Sequence, residues 1–201
     1  VFMLALWRSL SAGALPETRL REALFNVTSI ISGTGYASAN YQLWGGVAVV
    51  TFFFVGLIGG CAGSTSCSIK VFRYQLFFAS VSTQVKRLYA PHGIFEPRYE
   101  GRPVSEEVLS SVMAFFVLFF VALGTIAVLL GLTGLDVVTS VSGAAAALGN
   151  IGPGLGDTIG PAGNYAGLND TAKWILSAAM FLGRLELIAV LVLFTTAFWR
   201  A

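Results

Sequence analysis

Residues 108–130 form an apolar run with no charged side chain, and soon afterwards the chain breaks at Gly149-Asn150-Ile151-Gly152-Pro153-Gly154. Together these two features constrain the fold more than anything else in the sequence. A run of that length can cross a bilayer, where every backbone polar group must find a partner inside the protein. A helix that stops at glycines and a proline at membrane depth is tolerated only within protein or beside a water-filled cavity. Composition agrees: hydrophobic residues make up 56% and charged residues 11%, against roughly 25% charged in soluble domains. The sequence therefore predicts an all-α multi-pass membrane protein.

Composition also excludes several classes. A net charge of +2, scattered along the chain, gives no basic surface for nucleic acid. Cys61 and Cys67 lie in one glycine-rich stretch, with neither metal-site spacing nor a disulfide framework. His92 is the single histidine and sits in a polar loop, so no enzyme machinery is legible. Asn26-Val27-Thr28 and Asn169-Asp170-Thr171 match a glycosylation pattern, but the first falls within a short apolar helix that leaves no room for a glycan.

Val1 to Trp7 read as the last turns of a helix, which suggests a piece of a longer chain, and Ser9–Gly13 as a linker. Leu20, Leu24, Val27 and Ile31 recur at helical spacing, predicting a helix over 18–32 with Pro16 or Thr18 near its cap. That helix is too short to cross and ends at Ser32-Gly33-Thr34-Gly35-Tyr36. An apolar stretch, 43–58, runs into Gly59-Gly60-Cys61-Ala62-Gly63-Ser64-Thr65-Ser66-Cys67-Ser68, and the apolar pattern resumes to about Leu88. Too short to span alone, this stretch predicts a broken helix whose intramembrane loop is 59–68. A polar loop reaches Glu107. It is followed by the span 108–130, a second short helix 136–148 capped by Asp136, the glycine turn, and a last span 171–199.

The two halves share one plan: helix, short helix, glycine turn, helix. The expected units are 1–90, with its first helix truncated, and 108–201, joined by a linker over 91–107. Basic residues orient them. Lys70, Arg73, Lys86, Arg87, Arg98, Arg102 and Arg200 fall on one side, against Arg8, Arg19, Arg21 and Lys173 on the other. Positive charge favours the cytoplasm, so the linker is placed inside and the glycine turns outside.

A short helix that re-enters and stops leaves carbonyl oxygens that can replace a cation's hydration shell. Its C-terminal dipole also favours a cation there. Thr34-Gly35-Tyr36 stands where potassium channels carry Thr-Val-Gly-Tyr-Gly, and Asn150-Ile151-Gly152-Pro153-Gly154 has a similar glycine rhythm. Neither turn contains a carboxylate, which suits a weakly hydrated monovalent ion. A filter of this type takes four such segments, so two must come from elsewhere.

Four stretches carry a family resemblance: Leu20–Ile31, Gly59–Ser66, Gly149–Gly154, and Gly183-Arg184-Leu185-Glu186. In their order and spacing the chain resembles the C-terminal half, the third and fourth pore repeats, of the TrkH/TrkG/KtrB-type potassium uptake transporters. The resemblance implies repeated helix–re-entrant pore helix–helix units of potassium-channel type around a central pore, with potassium as the transported ion. It implies a homodimer, each protomer with its own pore, in a bacterial inner membrane, and a regulatory cytoplasmic ring of nucleotide-binding subunits. Thr34, Gly35, Tyr36, Asn150, Ile151 and Gly152 would be filter residues. Gly59, Gly60, Gly63, Ser64, Thr65, Ser66 and Cys67 would form the gating loop, and Arg184 the pore-blocking arginine. Two departures stand out: Cys67-Ser68 replace a common glycine pair, and Gly33 replaces a common threonine.

Some residues admit two readings. Arg184, thirteen residues into an apolar span, either faces a pore or pairs with Glu186, although side chains two apart point to different helix faces. Lys70 and Arg73 either steady the loop or simply flank it. Asn150 either offers an oxygen to the ion or braces the turn with its side chain, the second fitting its chemistry better. Asp157 and Asp170 are outer-loop residues or concentrate cations at the mouth. The rival to gated uptake is a secondary transporter with discontinuous helices coupled to proton or sodium. A membrane scaffold would need no paired glycine turns.

Overall fold

The computed structural model describes residues 17–200 other than 91, 94, 186, 194, 195 and 197. The helical start at Val1–Trp7, the linker, Pro16, Arg8 and the Glu186 partnership lie outside the described residues. Among the described residues seven α-helices follow in order: α1 Glu17–Ile31, α2 Gly46–Leu57, α3 Val71–Tyr89, α4 Glu106–Leu132, α5 Val137–Gly149, α6 Asp170–Arg184 and α7 Leu187–Leu193. A 3-10 turn, Tyr41–Trp44, precedes α2.

The 27 residues of α4 are the one helix among those described that is long and apolar enough to cross a membrane. At 1.5 Å per residue it reaches about 40 Å, and Val117, Phe120, Val121, Val128 and Leu129 stay exposed along it as a lipid-facing surface would. α2 and α5 are short apolar helices. α5 is buried almost all round, from Ser142 to Gly149. Its alanines let neighbouring backbones approach, as small residues do between membrane helices. Asp136 starts it, accepting from the Thr139 amide at 3.1 Å and holding its own pKa below the usual carboxylate value through that bonding. Asn169 caps α6 in the same way at 2.7 Å, while its amide reaches Thr133 O at 3.0 Å.

One core joins α4, α5 and α6 around Phe119, Leu130, Ala144, Leu148 and Leu176. A second gathers Val27, Ile30, Tyr41, Phe52, Ile151 and Leu155, and so packs the first short helix, α2 and the second glycine turn together.

Two expectations need correction. The apolar stretch 43–58 does not begin as α-helix. The Asn40 side chain accepts from Gln42 N and Gly45 takes φ +104°, so Tyr41–Trp44 close a separate turn and α2 starts at Gly46. The last span, 171–199, is not continuous: α6 ends at Arg184, Leu185 adopts φ −87° and ψ 7°, and α7 restarts at Leu187, which returns to the core. Thr18 lies in the first turn of α1, near its start. The polar linker also contains a small hairpin, β1 Arg98–Tyr99 against β2 Arg102–Pro103. Its turn places Glu100 and Gly101 at φ +49° and +80°, the paired positive values of a tight hairpin turn.

Candidate functional site

The two glycine turns are built alike. After α1, Gly33 N donates to Ile30 O at 3.1 Å and Thr34 N to Ser29 O at 2.9 Å; after α5, Asn150 N donates to Ala147 O at 3.1 Å and Ile151 N to Ala146 O at 3.0 Å. Each turn thus makes one bond three residues back and one five residues back. Gly33 and Asn150 take φ +73° and +50°, and two residues later Gly35 and Gly152 take +77° and +112°. Threonine at position 33 would be strained at that φ, which accounts for glycine there.

The turns also abut. A Cβ on Gly35 would stand 1.9 Å from Ile151 O, and one on Gly152 would stand 4.0 Å from Gly35 Cα. Two C-terminal helix ends are therefore brought together with their negative dipole ends at one place. Thr34, Tyr36 and Gly152 are exposed on the open side, whereas Ile151 is buried in the second core.

Each short helix grips the strand that leaves its turn. The buried Asn26 of α1 accepts from Ser38 N at 3.0 Å and donates to Ser38 Oγ at 2.9 Å. Ser142 of α5 accepts from Leu155 N at 2.9 Å, with its hydroxyl shared between Val138 O at 2.6 Å and Leu155 O at 3.1 Å. Ser38 and Leu155 each lie three residues beyond the turn's second glycine. The Tyr165 hydroxyl donates to Gly152 O at 2.5 Å. Burial pushes that hydroxyl up to about 12, so it remains a neutral donor at ordinary pH. Sequence reading missed Asn26, Ser142 and Tyr165; an asparagine in an apolar short helix was the available signal, since buried polar groups require partners. The Asn150 side chain braces the turn, donating to Met180 O on α6 at 2.9 Å.

Below the turns, the break between α2 and α3 is closed by backbone bonds. Ile58 and Ile69 pair as a parallel bridge, with Ile69 N on Leu57 O at 3.1 Å, Gly59 N on Ile69 O at 2.9 Å and Val71 N on Gly60 O at 3.2 Å. The loop folds around the buried Ser66, whose Oγ accepts from Gly60 N at 2.6 Å and from Ser64 Oγ at 3.1 Å. Gly59 and Gly60 have no room for side chains, since a Cβ would meet Cys67 O at 2.3 Å or Ser66 Oγ at 2.7 Å. Gly63, by contrast, has open space around it. Ser68 takes φ +58°, donates to Gly56 O at 2.9 Å, and lies so close to Gly149 that a Cβ there would be 2.6 Å from its Oγ. The loop therefore touches the end of α5.

Arg184 Nη1 donates to Thr65 O at 2.8 Å and lies 3.9 Å from Cys67 Sγ. Lys70 Nζ reaches Ala62 O at 3.4 Å, so it contacts the loop as well as following it. Arg73 stacks over the Phe115 ring at 3.8 Å. Between them lies a cavity of about 260 Å³ bounded by Ser64–Ser68, Phe115, Phe119 and Arg184. His92 and Asp157 are exposed, and Asp170 pairs with Lys173 at 3.4 Å on the surface. No cluster of His, Cys, Asp and Glu able to hold a metal occurs among the described residues.

Two short helices end in abutting glycine turns above an interrupted helix, and comparison places this architecture among membrane cation-transport proteins. Residues 1–200 match the family described as TrkH, cation transport protein, and the chain belongs to it. It is 46% identical over 200 residues to the Trk system potassium uptake protein TrkI of Halomonas elongata, covering 100% of this chain and 40% of that one. It is 36% identical over 188 residues to TrkH of Vibrio parahaemolyticus, covering 92% of this chain and 38% of that one. The crystal structure of the potassium transporter TrkH from Vibrio parahaemolyticus superposes with a TM-score of 0.88 at 34% identity, over 99% of this chain and 42% of that chain. The chain thus spans about two fifths of the length of these relatives and has the TrkH-type all-α architecture.

Proposed function

We propose that this chain supplies two of the four filter segments of a potassium uptake pore, as the third and fourth repeats, with units 1–90 and 108–201 joined by a cytoplasmic linker over 91–107. The observation that carries this reading is the equivalence of the two abutting turns, which have matching bonds and matching positive-φ positions. Backbone oxygens of Thr34, Gly35, Tyr36, Asn150 and Ile151 would replace water around a potassium ion. Gly152 sets the turn's shape, and its own carbonyl is held by Tyr165. The loop 59–68, with Gly59, Gly60, Gly63, Ser64, Thr65, Ser66 and Cys67, forms the gate, steadied by Lys70 and closed by Arg184 through Thr65.

The relatives' printed function, potassium uptake, supports transport rather than catalysis. The other two repeats, a second copy in a homodimer, a cytoplasmic nucleotide-binding ring and a bacterial inner membrane complete the proposal. Discontinuous helices alone would also fit a coupled transporter, but that reading does not call for two matched turns in contact.

The test is ion flux in liposomes carrying the full-length protein, with Gly152→Ser beside it. At φ +112° a serine has space but the wrong backbone, a strain of about 1–3 kcal/mol. Potassium flux well above sodium, with the preference lost in the variant, is expected. Equal fluxes in the native protein would sink the filter, and an unaltered variant would move the ion site elsewhere.

A further inference from the structure

The strand leaving the second turn is held at a third point, from outside its own unit. The Gln42 side chain makes both bonds of an amide pair with one backbone residue: Gly156 N donates to its Oε1 at 2.6 Å and its Nε2 donates to Gly156 O at 3.2 Å. These residues lie 114 positions apart, one in each unit. The fit is close. Gly156 has φ +96°, and a Cβ on Gly160 would stand 2.1 Å from Gln42 Nε2.

The turn that carries Gln42 is itself fixed. Asn40 Oδ1 accepts from Gln42 N at 3.2 Å, and the neighbouring Tyr41 is buried and stacked on Phe52 of α2 with ring centroids 4.0 Å apart. Counting from Gly152, the second turn is thus secured by Tyr165 at its glycine, by Ser142 three residues on, and by Gln42 four residues on. Only the last of these fastens it to the other unit, through the turn that precedes α2.

We propose that Gln42 is a positioning residue for ion discrimination, which sets the spacing between the two filter turns by clamping Gly156 to the other unit. This rests on the filter reading above. Under the snug-fit account of selectivity, coordinating oxygens discriminate between ions where their spacing is maintained, and among the described residues no backbone hydrogen bond joins the abutting turns. An amide engaged through both its donor and its acceptor fixes distance and orientation together, which a single bond cannot.

The test compares native full-length protein in liposomes with Gln42→Leu, of similar size without polar atoms, and Gln42→Glu, which keeps the acceptor and loses the donor. Potassium flux, sodium flux and the amount of folded protein are read together. The expected result is a preference for potassium that falls about tenfold in Gln42→Leu, as when a buried polar pairing is lost, and by less in Gln42→Glu. Sodium flux per folded molecule should rise. A purely structural role would lower folded protein and both fluxes in proportion; that outcome, or failure of both variants to fold, overturns the proposal. Undiminished preference in either folded variant overturns it too. A native protein with no preference refutes the filter reading itself, and is told apart because it appears before any substitution.

Discussion

Arg184 and Thr65 are joined across 119 positions of sequence by one bond, from guanidinium to main-chain oxygen, at 2.8 Å. It ties the end of α6 to the loop between α2 and α3. A charge at this depth is costly unless a partner or water receives it, and here the loop's carbonyl and the adjoining cavity do so.

Replacing that charge should open the pathway. On the gating reading proposed above, Arg184→Ala removes both the positive barrier and the latch, and potassium flux is expected to rise about tenfold, corresponding to some 1.4 kcal/mol of barrier. Flux in liposomes decides it. Arg184→Lys keeps the charge without the planar fork, so it should remain nearer native.

Ser68 offers a test of what a residue gains by tolerating left-handed backbone. It keeps φ +58° while bonding Gly56 O. Ser68→Ala retains the strain and leaves that oxygen without its donor, so it should cost about 1–2 kcal/mol. Ser68→Gly also loses the bond but relieves roughly 1–2 kcal/mol of strain, and should lie close to native. Thermal unfolding of the purified protein in detergent measures both.

Gly183 precedes Arg184 where α6 packs directly on the backbone of α5. A Cβ there would lie 2.0 Å from Leu148 O and 2.7 Å from Leu148 C, both backbone atoms that cannot swing aside. Gly183→Ala should therefore push the helices apart, costing about 3 kcal/mol and displacing Arg184 from the loop. A lower unfolding midpoint together with raised flux is the expected pair of results.

How far sequence reaches depends on whether a feature is local. α4 is legible from hydropathy because a bilayer imposes length and apolarity on a single segment. The Asp136 cap and the loop 59–68 are legible because short-range chemistry dictates them. The break after Arg184 was not, since the leucine-rich pattern of 185–193 continues as though the helix did. The hairpin at 98–103 escaped notice because glutamate is an uncommon residue at a positive φ. The turns themselves were placed correctly as helix ends, but what fixes them was not visible: Tyr165 acts over 13 positions and Gln42 over 114, and no periodicity connects them. The Asn150 brace was anticipated from its chemistry; its partner, Met180, could come only from the packing of α6.

The parallel pairing of Ile58 with Ile69 has a mechanical meaning. The chain leaves the axis of α2 and rejoins it at nearly the same point, heading the same way, with amide–carbonyl bonds spanning the gap. The interval between those two isoleucines is a side branch, not a link in the wall. On the gating reading proposed above, a door hung this way swings without shifting its frame: movement of Ser64 through Cys67 would leave in place the backbone bonds that join α2 to α3.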